Sequence, residues 1–332
     1  MRADVTVIIP LFNRAGRIVR ALESVAGQVG TCTVEIIVVD DASTDTSVAM
    51  VEAWWNRRKD VPAEVGRVKV KDCRVIRLTE NAGPSAARNR GMAEAGAPLI
   101  AFLDSDDAWL ENALDARVRA LTMHPDLDWI YCDYEGVRAG TVSEKSFMAN
   151  RFSARQIEWE SHNDGIRVPL NFFECQLIQP LTQTSTLLLR GDRLGPEDRF
   201  DESLRLAEDW EFVLRLSART RMGYIDRVLV RKHVEPDGLT VNPGPWFAGN
   251  VRAGEVVLNR LTLTAEQRRF VKNRITEDLY EWGYHLNTVG MYREARKVLW
   301  RALRRRFRWK TVKQLGKGVG GEVFSVQRSV FR

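Results

Sequence analysis

Nowhere does the chain hold a run of about eighteen apolar residues, the length at which a helix begins to read as membrane-spanning. A strand-like segment begins almost directly after Met1, which leaves no room for the charged and apolar regions of a secretion signal, so a cytosolic location is expected. Cysteine is scarce: Cys32, Cys73, Cys132 and Cys175 lie scattered, with no close pair. That spacing argues against a zinc site and against a disulfide framework, and it makes a reducing compartment the default. Strong compositional bias is missing too. With 44% hydrophobic and 28% charged residues in a length of 332, the chain is neither disordered nor collagen-like. It is long enough for one large α/β domain with an appendage, or for two domains of modest size.

Charge is present but uneven. The net charge is +6, with arginine and lysine crowded toward the C-terminus. A basic face of that kind could meet an anionic membrane or nucleic acid, and a plain solvated surface is the alternative.

Val5–Ile9 is an unbroken, β-branched apolar run, the signature of a strand buried on both faces of a parallel sheet, and Pro10 ends it. Ile18, Leu22 and Val25 recur at helical spacing. Glu35–Val39 gives a second buried strand ending at Asp40 and Asp41, Arg74–Leu78 a third, and Leu99–Leu103 a fourth ending at Asp104. Ser85–Ala95 reads as a helix, and Leu110, Leu114, Val118 and Leu121 line one face of another. Trp129–Tyr134 and Thr186–Leu189 read as strands, Ala207–Ala218 as a helix, and Gly223–His233 as a last strand. From Gly136 to Pro180 the pattern is irregular and yields no assignment. Val234–Pro245, which holds Pro236, Gly238, Pro243 and Gly244, looks like a linker. Beyond it only helices are expected, from about Ala265 to Arg308, with Tyr280–Leu303 as a helical hairpin turning near Gly290, and then a Gly-rich tail.

Alternating strands and helices imply right-handed crossovers and a doubly wound parallel sheet, in which ligands bind beyond the carboxyl ends of the strands. Polar residues gather at those ends: Asn13, then Asp40 and Asp41, then Asn81, then Asp104 and Asp106. The sharpest cluster is Asp104-Ser105-Asp106-Asp107. Two carboxylates one residue apart at a strand end can face one crevice, and a hard cation such as Mn2+ or Mg2+ takes oxygen ligands of that kind. Strand-end aspartates also cap helices, and Asp107 before Ala108 suits that role.

Four motifs taken together resemble the family 2 glycosyltransferases: Val7-Ile8-Ile9-Pro10-Leu11-Phe12-Asn13; Val38-Val39-Asp40-Asp41-Ala42-Ser43-Thr44-Asp45; Asn81-Ala82-Gly83-Pro84-Ser85-Ala86-Ala87-Arg88-Asn89; and Phe102-Leu103-Asp104-Ser105-Asp106-Asp107. The likeness spans roughly residues 4 to 235. It implies an inverting enzyme with a GT-A fold, a Rossmann-like, mostly parallel sheet flanked by helices, here with a C-terminal helical appendage. The implied organisation is a catalytic domain over 1–240, its nucleotide-sugar half at 1–135 and its acceptor half at 136–240, followed by a helical region with a basic tail over 241–332.

The resemblance also implies roles. Asp41 would accept a hydrogen bond from the imide N–H of a uracil or thymine, with Pro10 and Phe12 packing near the base and Asn13 at the end of the same strand. Arg88 would pair with the donor's phosphates, Asn81 would reach ribose or phosphates, and Asp104, Ser105 and Asp106 would hold the diphosphate, Asp104 and Asp106 through Mn2+ or Mg2+. His233, in Val230-Arg231-Lys232-His233, matches a position where a histidine approaches the metal or diphosphate; His124, His162 and His285 fit no motif. Glu208-Asp209-Trp210-Glu211 resembles the acidic motif whose aspartate deprotonates the incoming hydroxyl. Asp209 is that residue by position, with Glu208 the fallback. An ordinary aspartate is ionised at neutral pH and needs no tuning to take a proton.

The implied reaction is transfer of a sugar from a nucleotide diphosphate donor, most readily UDP-linked, to a glycan or lipid-linked glycan acceptor in bacterial surface polysaccharide synthesis, such as lipopolysaccharide, capsule or exopolysaccharide. Trp282, Trp300, Phe307 and Trp309, interleaved with Arg301, Arg304, Arg305, Arg306, Arg308 and Lys310, could dock on anionic lipid and bring the site to a lipid-linked acceptor, a peripheral placement at the inner face of the membrane. The same helix could instead turn its aromatics inward. Nucleic acid is not an expected partner. Haloacid dehalogenase-like phosphatases place Asp-x-Asp at the first strand rather than the fourth, and sugar nucleotidyltransferases need a Gly-rich loop that Pro10–Arg14 is not. The rival from another class is an inactive nucleotide-binding or scaffold module of the same fold.

Overall fold

The computed structural model describes residues 2–235 and 243–316. The chain divides into two compact units, Met1–Glu235 and Pro236–Arg332. Most of the expected linker, residues 236–242, lies outside the described residues, as does the Gly-rich tail from residue 317 on.

In the first unit β1 (Val5–Leu11), β2 (Thr33–Asp40), β3 (Lys69–Arg77) and β4 (Leu99–Phe102) form a parallel block in the order β3-β2-β1-β4. The apolar run of β1 is buried on both faces because each face meets a separate core: Val7, Ile9 and Leu11 join one, Ile8 the other. Three helices supply the crossovers, α1 (Ile18–Ala26), α2 (Ser47–Arg58) and α3 (Pro84–Glu94). α1 buries Ile18, Leu22 and Val25, as their spacing predicts. α2 gives little sequence signal because only Ser47, Val51 and Trp54 of its twelve residues are buried.

α3 lies close on β1, and Gly91 permits it: a Cβ there would stand 2.4 Å from Cγ2 of Ile8. Gly91→Ala is therefore expected to cost about 1–3 kcal/mol through displaced packing. A urea midpoint that falls at an unchanged m-value would show it; an unmoved midpoint would mean the helix has slack.

The remaining strands are β5 (Ala108–Trp109), β6 (Trp129–Arg138), β7 (Thr141–Glu144), β8 (Trp159–Ser161), β9 (Ile166–Pro169), β10 (Leu188–Arg190) and β11 (Met222–Val234), with helices α4 (Ala113–Met123), α5 (Phe172–Ile178) and α6 (Glu208–Ser217). The full order is β3-β2-β1-β4-β10-β6-β11-β9-β8, with β5 on β11 and β7 on β6. The sheet is thus mixed, with its long ladders parallel; β10 enters antiparallel between β4 and β6. The α/β layering agrees with the sequence reading.

Three local expectations change. Pro10 does not end the first strand: β1 runs on to Leu11, with Pro10 opposite Val39 and Leu11 opposite Asp40. The helix after Asp107 does not begin there: Ala108 and Trp109 pair with Arg231 and Val230, and α4 starts at Ala113 after Asn112, whose φ is 65°. Leu110 sits ahead of that helix, and Asp107 caps nothing. The irregular stretch consists of short strands and short 3-10 turns leading into α5.

The second unit holds α7 (Pro243–Arg260), α8 (Ala265–Thr288) and α9 (Tyr292–Arg305), so helix begins earlier than the sequence suggested. Thr264 and Gln267 start α8 with reciprocal side-chain to backbone bonds, a capping box written as Thr-x-x-Gln. The hairpin turns at Gly290, whose φ of 81° suits a residue without a Cβ. Among the described residues no helix is long and apolar enough to cross a membrane.

Candidate active site

The end of β4 turns sharply, with the Asp107 N–H donating to the Asp104 carbonyl at 3.0 Å. That turn separates the three carboxylates. The side chains of Asp104 and Asp106 remain 24% and 22% exposed, whereas Asp107 is 1% exposed. Asp107 accepts from Gln183 Nε2 at 2.7 Å, Ser185 Oγ at 2.9 Å and the His233 N–H at 3.1 Å, so it braces the loop from within. Burial, then the charges of Asp104 and Asp106, push its carboxyl up to about 7. Burial and the charge of Asp104 raise Asp106 as well, against the pull of Arg14, whose Nε is 3.5 Å from Asp106 Oδ2. Asp104 goes the other way: burial opposes its ionisation, but Arg88 holds it below the usual carboxylate range.

Arg88 links three chain segments. Only 3% exposed, it donates from Nη2 to Asp104 Oδ1 at 2.7 Å and from Nη1 to Glu208 Oε1 at 2.8 Å, with its guanidinium 5.2 Å from the centre of the Phe200 ring. The resemblance directs this arginine at donor phosphates; in the structure it is bonded to two carboxylates, Asp104, itself a candidate metal ligand, and Glu208, the neighbour of the candidate base. Much of the Asn81–Asn89 motif serves the same junction. Ser85 Oγ donates to the Leu204 carbonyl at 2.9 Å, Asn89 exchanges bonds with the Phe200 backbone at 2.8 and 2.9 Å, and Arg205 donates to Asn81 Oδ1 at 2.8 Å.

Glu208 and Asp209 open α6 after Ala207, which sits at a φ of 60°. They differ in access: Glu208 is buried and tied to Arg88, while Asp209 is half-buried, its Oδ1 accepting the Trp210 N–H at 2.7 Å. Burial pushes Glu208 up to about 7 against Arg88, and burial also raises Asp209 against Lys232. The base candidate is therefore tuned upward rather than left at an ordinary aspartate value.

After β2, Asp41 is 4% exposed and its two oxygens accept the Ala82 and Gly83 N–H groups at 2.7 and 2.8 Å, shaping the turn into α3. Asn13, at a φ of 50°, accepts the Thr44 N–H at 2.8 Å and so joins the loops after β1 and β2. Phe12 is 41% exposed, an apolar face standing open at the end of β1, next to the half-buried Pro10. Ser105 is buried within the turn.

His233 does not join Asp104 and Asp106 into a cage; among the described residues no three His, Cys, Asp or Glu side chains form one. Alternation along β11 accounts for this. His233 lies amid the charges of Arg20, Glu235, Arg231 and Glu135, burial lowers its pKa, and its Nε2 is buried without a hydrogen-bond partner. Its neighbour Lys232 instead acts on Asp104, Asp106, Asp107 and Asp209 together, with its ammonium 5.9 Å from the Tyr134 ring centre. Lys232 and the buried Gln183-Thr184-Ser185 floor are the site residues that the motifs do not reveal. The one available signal for Lys232 was its place beside His233. Asp104 and Asp106 suit Mn2+ or Mg2+ without a closed cage, since Mg2+ usually keeps several waters and binds through one or two carboxylates plus substrate phosphates.

The model of Glycosyl transferase family 2 matches residues 6–173. Succinoglycan biosynthesis protein ExoO of Rhizobium meliloti is 30% identical over 260 residues, covering 70% of this chain and 65% of that protein. Minor teichoic acid biosynthesis protein GgaA of Bacillus subtilis is 28% identical over 276 residues, 80% of this chain and 55% of that protein. The chain thus spans less than two thirds of the length of these curated relatives. Among solved structures, S. aureus TarS in complex with UDP-GlcNAc is similar at a TM-score of 0.61 and 20% identity, over 98% of this chain and 92% of that one. Mannosyltransferase PcManGT from Pyrobaculum calidifontis, in complex with GDP-Man and Mn2+, gives 0.59 and 16% identity, over 99% and 83%. At such identities the likeness concerns the fold, which is that of the GT-A neighbours.

Proposed function

Because this chain belongs to glycosyl transferase family 2, we propose that it moves a sugar, with inversion, from a UDP-linked donor to a hydroxyl of a glycan or lipid-linked glycan in bacterial surface polysaccharide synthesis. The observation that carries the proposal is the span of one guanidinium: Arg88 touches both Asp104 and Glu208, so the diphosphate end and the proton-accepting end of the site face each other across one side chain. The names of ExoO and GgaA favour a surface polysaccharide, and the UDP-GlcNAc held by TarS favours a uridine donor.

Residues 1–240 supply the chemistry. Phe12 and Pro10 pack on the base, and the Asp41 carboxylate accepts the imide N–H on a lone pair left by Ala82 and Gly83. Asn13, Asn81 and Ser105 shape the pocket wall for ribose and phosphates. Mn2+ or Mg2+ held by Asp104 and Asp106 would neutralise charge on the diphosphate and make it a better leaving group. Lys232 adds fixed positive charge to the same crevice. Asp209 takes the proton from the acceptor hydroxyl as its oxygen attacks the anomeric carbon, opposite the departing phosphate; no carboxylate is assigned as the nucleophile that retention would need.

Thermal shift with UDP-sugars and Mn2+ tests the donor side, since a bound donor raises the melting temperature with its occupancy. Asp106→Asn is expected to abolish the metal-dependent part of that shift while leaving the ligand-free melting temperature nearly unchanged. A variant that binds as well as the wild type would remove the metal from the proposal. Release of UDP from a donor without acceptor separates an enzyme from an inactive binding module, which would release none.

A further inference from the structure

Charge is divided sharply along the chain. Residues 1–235 carry 31 Lys and Arg against 36 Asp and Glu, whereas residues 236–332 carry 19 against 8. The whole positive excess therefore belongs to the helical region. On α9, Arg293, Lys297, Trp300, Arg301 and Arg304 follow at steps of four, three, one and three residues, which places them in one stripe along the helix. All five are exposed, while Ala295, Val298, Leu299 and Ala302 are buried on the other side. Three of the four aromatics stand outward: Trp300 is 52% exposed, Phe307 61% and Trp309 72%, and Phe307 packs edge-on against Trp309 at 5.4 Å. The fourth, Trp282, lies on α8 and is half-buried, so it is not part of this face.

Part of the basic population is consumed inside the unit. Arg301 and Arg305 pair with Glu255, and Arg308 and Lys310 with Glu277. Lys297, Arg304 and Lys313 have no ion pair among the described residues, and each is exposed. Unpaired cations flanking exposed indole rings combine the two attractions that hold a helix at a lipid interface. Basic groups are drawn to anionic headgroups, and aromatic rings enter the boundary between headgroup and acyl chain.

We propose that the outer face of α9, continued through Phe307 and Trp309, docks on a membrane surface rich in anionic lipid. The occupant is argued from charge complementarity: along this face the cations outnumber the one exposed acid of α9, Glu294, and aromatic groups are spaced among them. The assignment is independent of the chemistry proposed for the first unit, although a lipid-linked acceptor would give it a purpose.

The test is co-sedimentation of the full chain with phosphatidylcholine vesicles and with vesicles containing phosphatidylglycerol, at low and high salt. Binding is expected to the anionic vesicles only and to weaken at high salt. Lys297→Glu with Arg304→Glu should lower it by about tenfold or more, and Trp300→Ser with Trp309→Ser should remove most of what persists at high salt. Each double variant should keep its melting temperature and its release of UDP from a donor in vesicle-free buffer. Retained UDP release shows that a loss of vesicle binding is not a loss of fold, and it separates the fate of this proposal from that of the glycosyltransferase reading. Equal binding to neutral and anionic vesicles, undiminished binding by the variants, or no vesicle binding alongside tight binding to RNA or to a second copy of the chain would each overturn it.

Discussion

Asp209→Asn is expected to lower kcat by roughly a hundredfold to ten-thousandfold, the range that a positioned general base contributes, with little change in donor affinity. The substitution keeps the side chain's shape and can preserve the bond from the Trp210 N–H, so its effect isolates the proton-accepting role. Glu208→Gln separates the two acids of the motif. Glu208 is bonded to Arg88 and largely buried, so its variant should lose stability before it loses the chemical step. If Glu208→Gln abolished turnover in a fully folded protein while Asp209→Asn did not, the roles would have to be exchanged.

The pH profile adds a second readout. Burial raises the Asp209 pKa above the ordinary value of about 3.9. A base works only when ionised, so kcat should fall as pH drops through this raised value, and the acid limb should lie above that of an unperturbed aspartate. Asp209→Asn should erase the limb.

The largest effect on stability is expected at Arg88. Its removal strands the carboxylates of Asp104 and Glu208 in a site where the arginine itself is 3% exposed. Breaking a buried ion pair from one side costs about 3–5 kcal/mol, because the remaining charge is left without compensation. Arg88→Met should therefore lower the unfolding free energy by that much, read as a fall in denaturant midpoint. Adding Glu208→Gln to it should recover a part, since one stranded charge is removed along with the arginine. If the single variant were as stable as wild type, the pairing would be incidental, and Arg88 would be free for donor phosphates as its motif implies.

That contrast marks where sequence stops being readable. The parallel block was legible because β1, β2 and β4 are built around apolar runs, and strand-end acids follow from the same geometry; β3, at the edge with charged residues through it, showed only its last part. Asp104, Asp106 and Asp209 could be found from their places at the ends of elements. Arg88 could be located but not aimed: nothing in the Asn81–Asn89 motif says whether a guanidinium meets a ligand or an internal carboxylate. Gln183, Thr184 and Ser185 look like a polar surface turn, yet all three are buried because they satisfy Asp104 and Asp107. Lys232 acts alone and carries no spacing signature. Between residues 136 and 180 the strands are short pieces of three or four residues, too brief for a period to emerge.

The place of β10 bears on how the protein comes into being. Leu188–Arg190 fills the gap between β4 and β6, so a nascent chain released only as far as residue 135 carries two strands whose facing edges have nothing to bond. On the ribosome that gap stays open until the third strand arrives from well downstream, and open edges invite pairing with other chains. Residues 1–135 are thus a poor candidate for separate expression: the cut at residue 135 runs through a sheet rather than around one.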